Sequence, residues 1–169
     1  MEAGISVAML FASIAALGLS LVRDARLESA NVDLALVLAV DVSSSMNMDE
    51  MRAQRDGYVA AFRHPAVLRS ILSGEHRGIA VSYLEWAGRD HQQVVIPWTV
   101  IHGGADAESF ARELAGRPLT TDKGTSIAGG LVAAEKLLVA GEVAAARQVI
   151  DVSGDGPNNT GPPVAPVRD

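Results

Sequence analysis

Residues 34–40, LALVLAV, are apolar without a break and run straight into Asp41. A run of this length makes only about 10 Å of helix but spans more than 20 Å as a strand. Because no polar residue alternates through it, neither face of that strand can meet water. Such a strand belongs in the middle of a parallel sheet with helices over both faces. The carboxylate that ends it then falls at the carboxyl edge of the sheet, where open α/β sheets bind their ligands.

The remaining segments fit around that strand. After the polar Ser43–Asn47, the apolar residues Met48, Met51, Val59 and Phe62 recur at helical spacing until Pro65 stops the helix, and a shorter piece follows over Ala66–Leu72. Two strand-like runs, Gly78–Trp86 and Gln93–Ile101, flank the turn-rich Ala87–His91 and predict a hairpin. Pro97 cannot donate to a ladder, which places the second run at a sheet edge. Helices are expected over Ala105–Ala115 and Thr125–Val139, then a short strand over Gln148–Val152 and the loop SGDGPNNTGPP. Strand, helix, hairpin, helix, helix, strand is an α/β order with a mostly parallel sheet and one antiparallel edge strand. A doubly wound sheet carries further strand–helix units beyond this point. The order therefore reads as a C-terminally truncated domain in which Gln148–Val152 has an uncovered edge and Val164–Asp169 begins a helix.

Composition narrows the chemistry. Cysteine is absent, which excludes disulfides, thiolate zinc sites, iron–sulfur clusters and cysteine nucleophiles. A net charge of -6 with a sequence pI near 5.1 argues against a nucleic-acid partner, whose phosphates call for a basic face. Aromatic residues make up 4% of the chain, so Ala, Val, Leu and Ile must build the core.

Residues 1–30 read differently from the rest. Ile5–Val22 carries no charge and approaches the length of a bilayer span as a helix. It suits either the apolar region of an export signal or a membrane anchor. Glu2 stands where a signal carries Lys or Arg, whereas Arg23 and Arg26 follow the run, a bias that favours a cytoplasmic domain. A buried core helix is the remaining alternative. Residues 31–169 form the globular domain, exported or periplasmic on the first reading and membrane-anchored on the second.

Asp41, Ser43 and Ser45 form D-x-S-x-S directly after the central strand. One turn can point these alternate oxygens into a common cavity. A carboxylate with hydroxyls is a hard-oxygen set suited to Mg²⁺, Mn²⁺ or Ca²⁺. The same residues also serve as helix caps and turn formers, so the triplet alone decides nothing. Two later segments add to it: Thr125 in KGTSIAGGL and Asp155 in SGDG both bring oxygen to the same edge.

With these three segments in this order, the chain resembles the von Willebrand factor A domain and its metal-ion-dependent adhesion site. The resemblance runs from about Val32 to Asn159. It implies a Rossmann-like fold in which Ser43, Ser45 and Thr125 are metal ligands, the threonine joining when a partner is bound, while Asp41 and Asp155 act largely through water. It also implies Mg²⁺, or Mn²⁺ or Ca²⁺, as cofactor, and a protein partner that completes the metal's coordination with an Asp or Glu carboxylate. Within that superfamily AVDVSSSM, YLEWAG…VIPWT and VIDVSGDGPNN are similar to an uncharacterised bacterial family with an N-terminal export signal. The expected function is metal-dependent protein binding rather than catalysis.

A Mg-dependent phosphotransferase-like hydrolase of haloacid dehalogenase type would need a second Asp at position 43, which is Ser, and a Lys for which Lys123 and Lys136 are the only lysines. A serine hydrolase lacks its G-x-S-x-G elbow, and Lys123-Gly124-Thr125 reverses the P-loop order. A truncated, non-functional fragment is the third possibility. His64, His76, His91 and His102 fall at loops and element ends without ligand spacing. Trp86 and Trp98 are placed to pair across the hairpin, Asn158 and Asn159 form a turn or shape the cleft, and Glu85 is expected to face solvent.

Overall fold

The computed structural model describes residues 31–140 and 143–168. Ile5–Val22, the expected signal or anchor, lies outside them. Four strands and five helices follow one another as β1 (Asn31–Asp41), α1 (Met48–Arg63), α2 (Pro65–Ile71), β2 (Ile79–Trp86), β3 (Gln92–Ile101), α3 (Gly104–Gly116), α4 (Ile127–Val139), β4 (Ala144–Ser153) and α5 (Ala165–Arg168). The sheet order is β3-β2-β1-β4, with β1 parallel to both neighbours and only the β2–β3 pair antiparallel. This is the expected doubly wound α/β sheet.

The apolar run of β1 separates the two layers of the core by simple alternation. Leu34, Leu36, Leu38 and Val40 face α1, α2 and α3, where they meet Val59, Phe62, Ile71, Phe110 and Leu114. Ala35, Val37 and Ala39 face the other way, toward Ala134 and Leu138 of α4. The second side carries Ala where the first carries Leu, so α4 can approach closely. Aromatic packing is confined to a few contacts, including Phe62 with Phe110 at 4.6 Å and the edge-on pair Tyr58–Tyr83 at 5.7 Å.

Local signals place the helices. Asn47 caps α1: its Oδ1 accepts from the amides of Asp49 and Glu50, while Glu50 accepts from the Asn47 amide. This reciprocal box starts the helix as soon as the D-x-S-x-S loop ends. His64 closes α1 and caps α2, with Pro65 in the first turn. The helix expected from Thr125 starts at Ile127, because Ser126 is its N-cap and accepts from the Gly129 amide.

Three expectations change. The last strand is ten residues long rather than Gln148–Val152, because Ala144–Arg147 is drawn into the ladder by Asn31–Leu34 of β1. An Ala-Ala-Ala-Arg stretch has little strand propensity of its own, so tertiary pairing decides it. Trp86 pairs with Gln92 beside the turn, whereas Trp98 lies farther along the ladder, where the register shifts between the Val81–Thr99 and Tyr83–Ile96 pairs, so the two do not face each other across the hairpin. Pro97 falls within that irregularity on the edge strand, where its missing N–H costs no ladder bond. Glu85, expected at the surface, is 1% exposed in a strand buried along its whole length. β4 occupies the other edge, as expected, and five of its ten residues are exposed.

Gly130 shows how tightly α4 is seated. A Cβ there would lie 2.8 Å from Cγ of Trp86, a ring held under the sheet edge. Gly130→Ala should therefore lower stability: overpacking of about 1–3 kcal/mol exceeds the roughly 1 kcal/mol gained in helix propensity. Gly57→Ala in α1, where nothing lies within 4 Å of the new Cβ, should instead stabilise by about 1 kcal/mol. Urea titrations of the two variants beside the parent chain check the opposite signs.

Candidate metal centre

The D-x-S-x-S loop leaves β1 at its carboxyl end and is held in place by backbone bonds. The Val42 amide donates to the Trp86 carbonyl at 2.8 Å, and the Met46 amide to the Ser43 carbonyl at 3.1 Å. The segment before α4 runs alongside: Ser43 bridges Asp122 in parallel, Ser44 N–H donates to the Asp122 carbonyl at 2.8 Å, and Asp122 N–H donates to Val42 at 3.3 Å. The Ser126 amide then bonds to the Ala87 carbonyl at 2.7 Å. Thr125, buried beside Ser126, is thereby fixed at the edge that holds Ser43.

The side chains converge within this frame. Asp41 is fully buried, and its Oδ1 accepts from the Ser43 amide at 2.7 Å. Ser43 Oγ and Ser45 Oγ share a hydrogen bond of 2.8 Å, and Ser45 Oγ donates to Oδ1 of Asp155 at 3.1 Å. Three of the five residues thus touch through their side chains and Asp41 is bonded to one of them. Thr125 reaches the group through the loop after β4: its amide donates to Asn159 Oδ1 at 2.8 Å, and its Oγ1 accepts from Asn159 Nδ2 at 3.3 Å. Asn159 N–H also donates to the Thr125 carbonyl at 2.9 Å. Asn159 is therefore more than a turn former. Its neighbour Asn158 accepts from the Ala128 amide at 3.4 Å in the first turn of α4. The sequence signal was their position just after the last strand, which does not by itself name Thr125 as the partner.

The electrostatics of Asp41 are unusual. Burial pushes its carboxyl above the ordinary range, and the nearby Asp155 charge adds to the rise, while the bonds from Ser43 oppose it. Its Oδ2 is buried with no hydrogen-bond partner among the described residues. A buried anionic oxygen left this way is costly unless a cation or water meets it. Gly154 leaves the space: a Cβ at that position would come within 3.1 Å of Asp41 Oδ2 and 3.3 Å of the Trp86 ring. Among the described residues no three His, Cys, Asp or Glu side chains gather, so a cation here would depend on hydroxyls as well as carboxylates. Hydroxyl and carboxylate oxygens beside an orphaned acceptor fit a hard divalent cation.

The histidines stand apart from this cluster for the most part. His64 accepts from the Ala66 amide as a cap, and His102 lies 3.3 Å from the Arg77 carbonyl. His91 reaches Asp122 Oδ2 at 3.4 Å, on the flank of the loop rather than among the serines.

A pH dependence follows for the protein kept in chelator. Both folded and unfolded chains carry a neutral Asp41 carboxyl at low pH. As pH rises past the ordinary carboxylate range, the unfolded chain ionises freely and the folded one only against burial, so stability is lost until the raised folded value is passed. Asp41→Asn should melt above the parent protein at pH 7 in chelator, and the difference should shrink as pH falls toward 4. Thermal melts across that interval check it; an advantage that grows in acid would refute the assignment.

No curated protein matches the chain in sequence. Among solved structures, the fold is similar to proximal thread matrix protein 1 from the mussel byssus (TM-score 0.62, 14% identity, covering 82% of this chain and 35% of that one). It is also similar to the von Willebrand factor domain of the type V pili tip protein Mfa5 from Porphyromonas gingivalis (TM-score 0.51, 18% identity, 77% and 40%). The pilus adhesin SpaC from Lactobacillus rhamnosus GG is a third (TM-score 0.52, 15% identity, 75% and 16%). The chain spans less than half the length of each. At these identities the likeness is one of fold, a von Willebrand factor-type α/β sheet. Residues 31–169 match the family described as protein of unknown function DUF1194, and the chain belongs to that family.

Proposed function

We propose that this chain is an adhesion-type module that binds a partner protein through a divalent cation at the carboxyl edge of its sheet. The observation that carries the reading is the buried Asp41 Oδ2, without a partner among the described residues, beside the joined hydroxyls of Ser43 and Ser45 and the Asp155 carboxylate. Ser43, Ser45 and Thr125 would hold Mg²⁺, or Mn²⁺ or Ca²⁺, directly, with Asp41 and Asp155 supplying negative charge behind them. When bound, such an ion offers a hard, electrophilic position that an Asp or Glu carboxylate can fill. Neutral hydroxyls quench that charge less than further carboxylates would, so the site favours an acidic partner residue. The residues of the chain do the rest: Asp122 and Asn159 hold the two loops that present the hydroxyls, and Trp86 walls the site from below. No nucleophile–base pair is required of these residues, and the role is binding rather than catalysis.

The fold is shared with a pilus tip protein, a pilus adhesin and a byssus matrix protein, which supports an adhesion role and an exported location. Among the described residues no helix is long and apolar enough to cross a membrane. Ile5–Val22 is the segment proposed to direct export or to anchor the chain.

Ligand linkage supplies the test. Mg²⁺ or Mn²⁺ at about a hundred times its dissociation constant should stabilise the protein by roughly 2–3 kcal/mol over chelator. Asp41→Ala and Ser43→Ala should abolish that rise while melting cooperatively. A parent protein indifferent to both ions would refute the metal reading.

A further inference from the structure

Among the described residues, one ion pair outside the site has both side chains buried. Arg55 of α1 and Glu85 of β2 are both buried, and their side chains form an ion pair at the upper end of the apolar layer. Glu85 extends the row Ile79, Val81, Tyr83 that faces α1 and α3, and it stands beside Val40, one step before Asp41 meets Trp86 in the ladder. Taking two charges out of water is costly, and apolar residues of similar volume often serve a core as well or better. Arg55 Nε even lacks a hydrogen-bond partner among the described residues. A core contact alone does not account for this pair.

Its other bonds indicate what it holds. Arg55 Nη1 donates to the carbonyls of Arg117 and Pro118, the latter at 3.1 Å, and the Thr120 hydroxyl donates to Glu85 Oε2 at 2.8 Å. Residues 117–120 lie in the connection between α3 and α4, outside any strand or helix. Their carbonyls have no ladder to satisfy them, and the guanidinium fork supplies the donors that an apolar side chain lacks. Thr120 precedes Asp122 by two residues and Thr125 by five. Asp122 is the residue whose backbone bonds run the connection alongside Ser43 and Ser44.

We propose that Arg55 and Glu85 are positioning residues: through Thr120 and the carbonyls of 117 and 118 they hold the α3–α4 connection in register with the D-x-S-x-S loop, and so place Thr125 at the site. The consequence for metal affinity rests on the proposed function; the register itself does not. The pair acts at a distance from the proposed cation: its hydrogen bonds go to Arg117, Pro118 and Thr120 and not to the five oxygen-bearing residues.

The test is native-state hydrogen exchange in chelator on the full chain, on Thr120→Val, and on the paired variant Arg55→Met with Glu85→Met, followed by Mg²⁺ titration read by tryptophan fluorescence. The expected result is selective. The amides of Ser44 and Asp122 should exchange roughly tenfold or more faster in both variants, while those of Val37–Ala39 in β1 keep their protection. The Mg²⁺ dissociation constant should rise about tenfold. Unchanged protection of Ser44 and Asp122 would overturn the proposal, as would faster exchange spread evenly through β1, which would mark the pair as a general stabiliser. Thr120→Val removes one hydroxyl from a half-buried position, so it decides the matter even if the paired variant fails to fold. A parent chain that ignores Mg²⁺ would overturn the metal reading, while the amide protection decides the register independently.

Discussion

Much of this molecule depends on β1 lying between two parallel neighbours with both faces covered. The middle of such a strand is apolar on both faces, and the first polar residue after the run is Asp41. It emerges where the backbone is still paired, opposite Trp86, so the carboxylate is buried by the same ladder that positions it. Desolvation then raises its proton affinity and leaves one oxygen without a partner among the described residues. That unmet acceptor is a property of the sheet's geometry, and it is the observation on which the proposed cation site rests.

Close approach on one side and polar tethering on the other keep the loops in place. Beneath the edge, Gly130 and Gly154 let α4 and the end of β4 come down onto Trp86 and Asp41 at distances that a Cβ would fill. Above the opposite layer, the buried Arg55–Glu85 pair reaches over to a connection that has no secondary structure of its own. Asn159 ties the loop after β4 to Thr125 from the far side. The three loops therefore meet not because they attract one another strongly but because each is fastened to a rigid element behind it.

Patterns of period and punctuation made most of the elements legible. The unbroken LALVLAV run, Pro65 as a helix stop and Pro97 as a mark of an edge strand each rest on a local rule, and each holds in the structure. The oxygen-bearing segments at 41–45, 125 and 155 were visible because they follow strands or open a helix. Glu85 was misread because a lone carboxylate beside a tryptophan looks like a solvent-facing position, and its partner is 30 residues away on another element. Trp86 and Trp98 do not pair because a tight turn sets Trp86 against Gln92, close to the hairpin end, and leaves Trp98 well along the ladder. The first half of β4 was missed because Ala-rich sequence becomes a strand only when a neighbour offers it a ladder.

Hydrophobic patterning by itself thus determined the sheet order's central strand, the α/β class and the edge at which polar chemistry collects, since burial on two faces admits no other arrangement of such a run. The tertiary structure alone decided which polar groups find partners. Arg55 with Glu85, Asn159 with Thr125 and Asp122 with the serine loop are all long-range pairings. Hydrogen bonds and ion pairs act over a few ångströms, and only folding brings residues tens of positions apart within that reach.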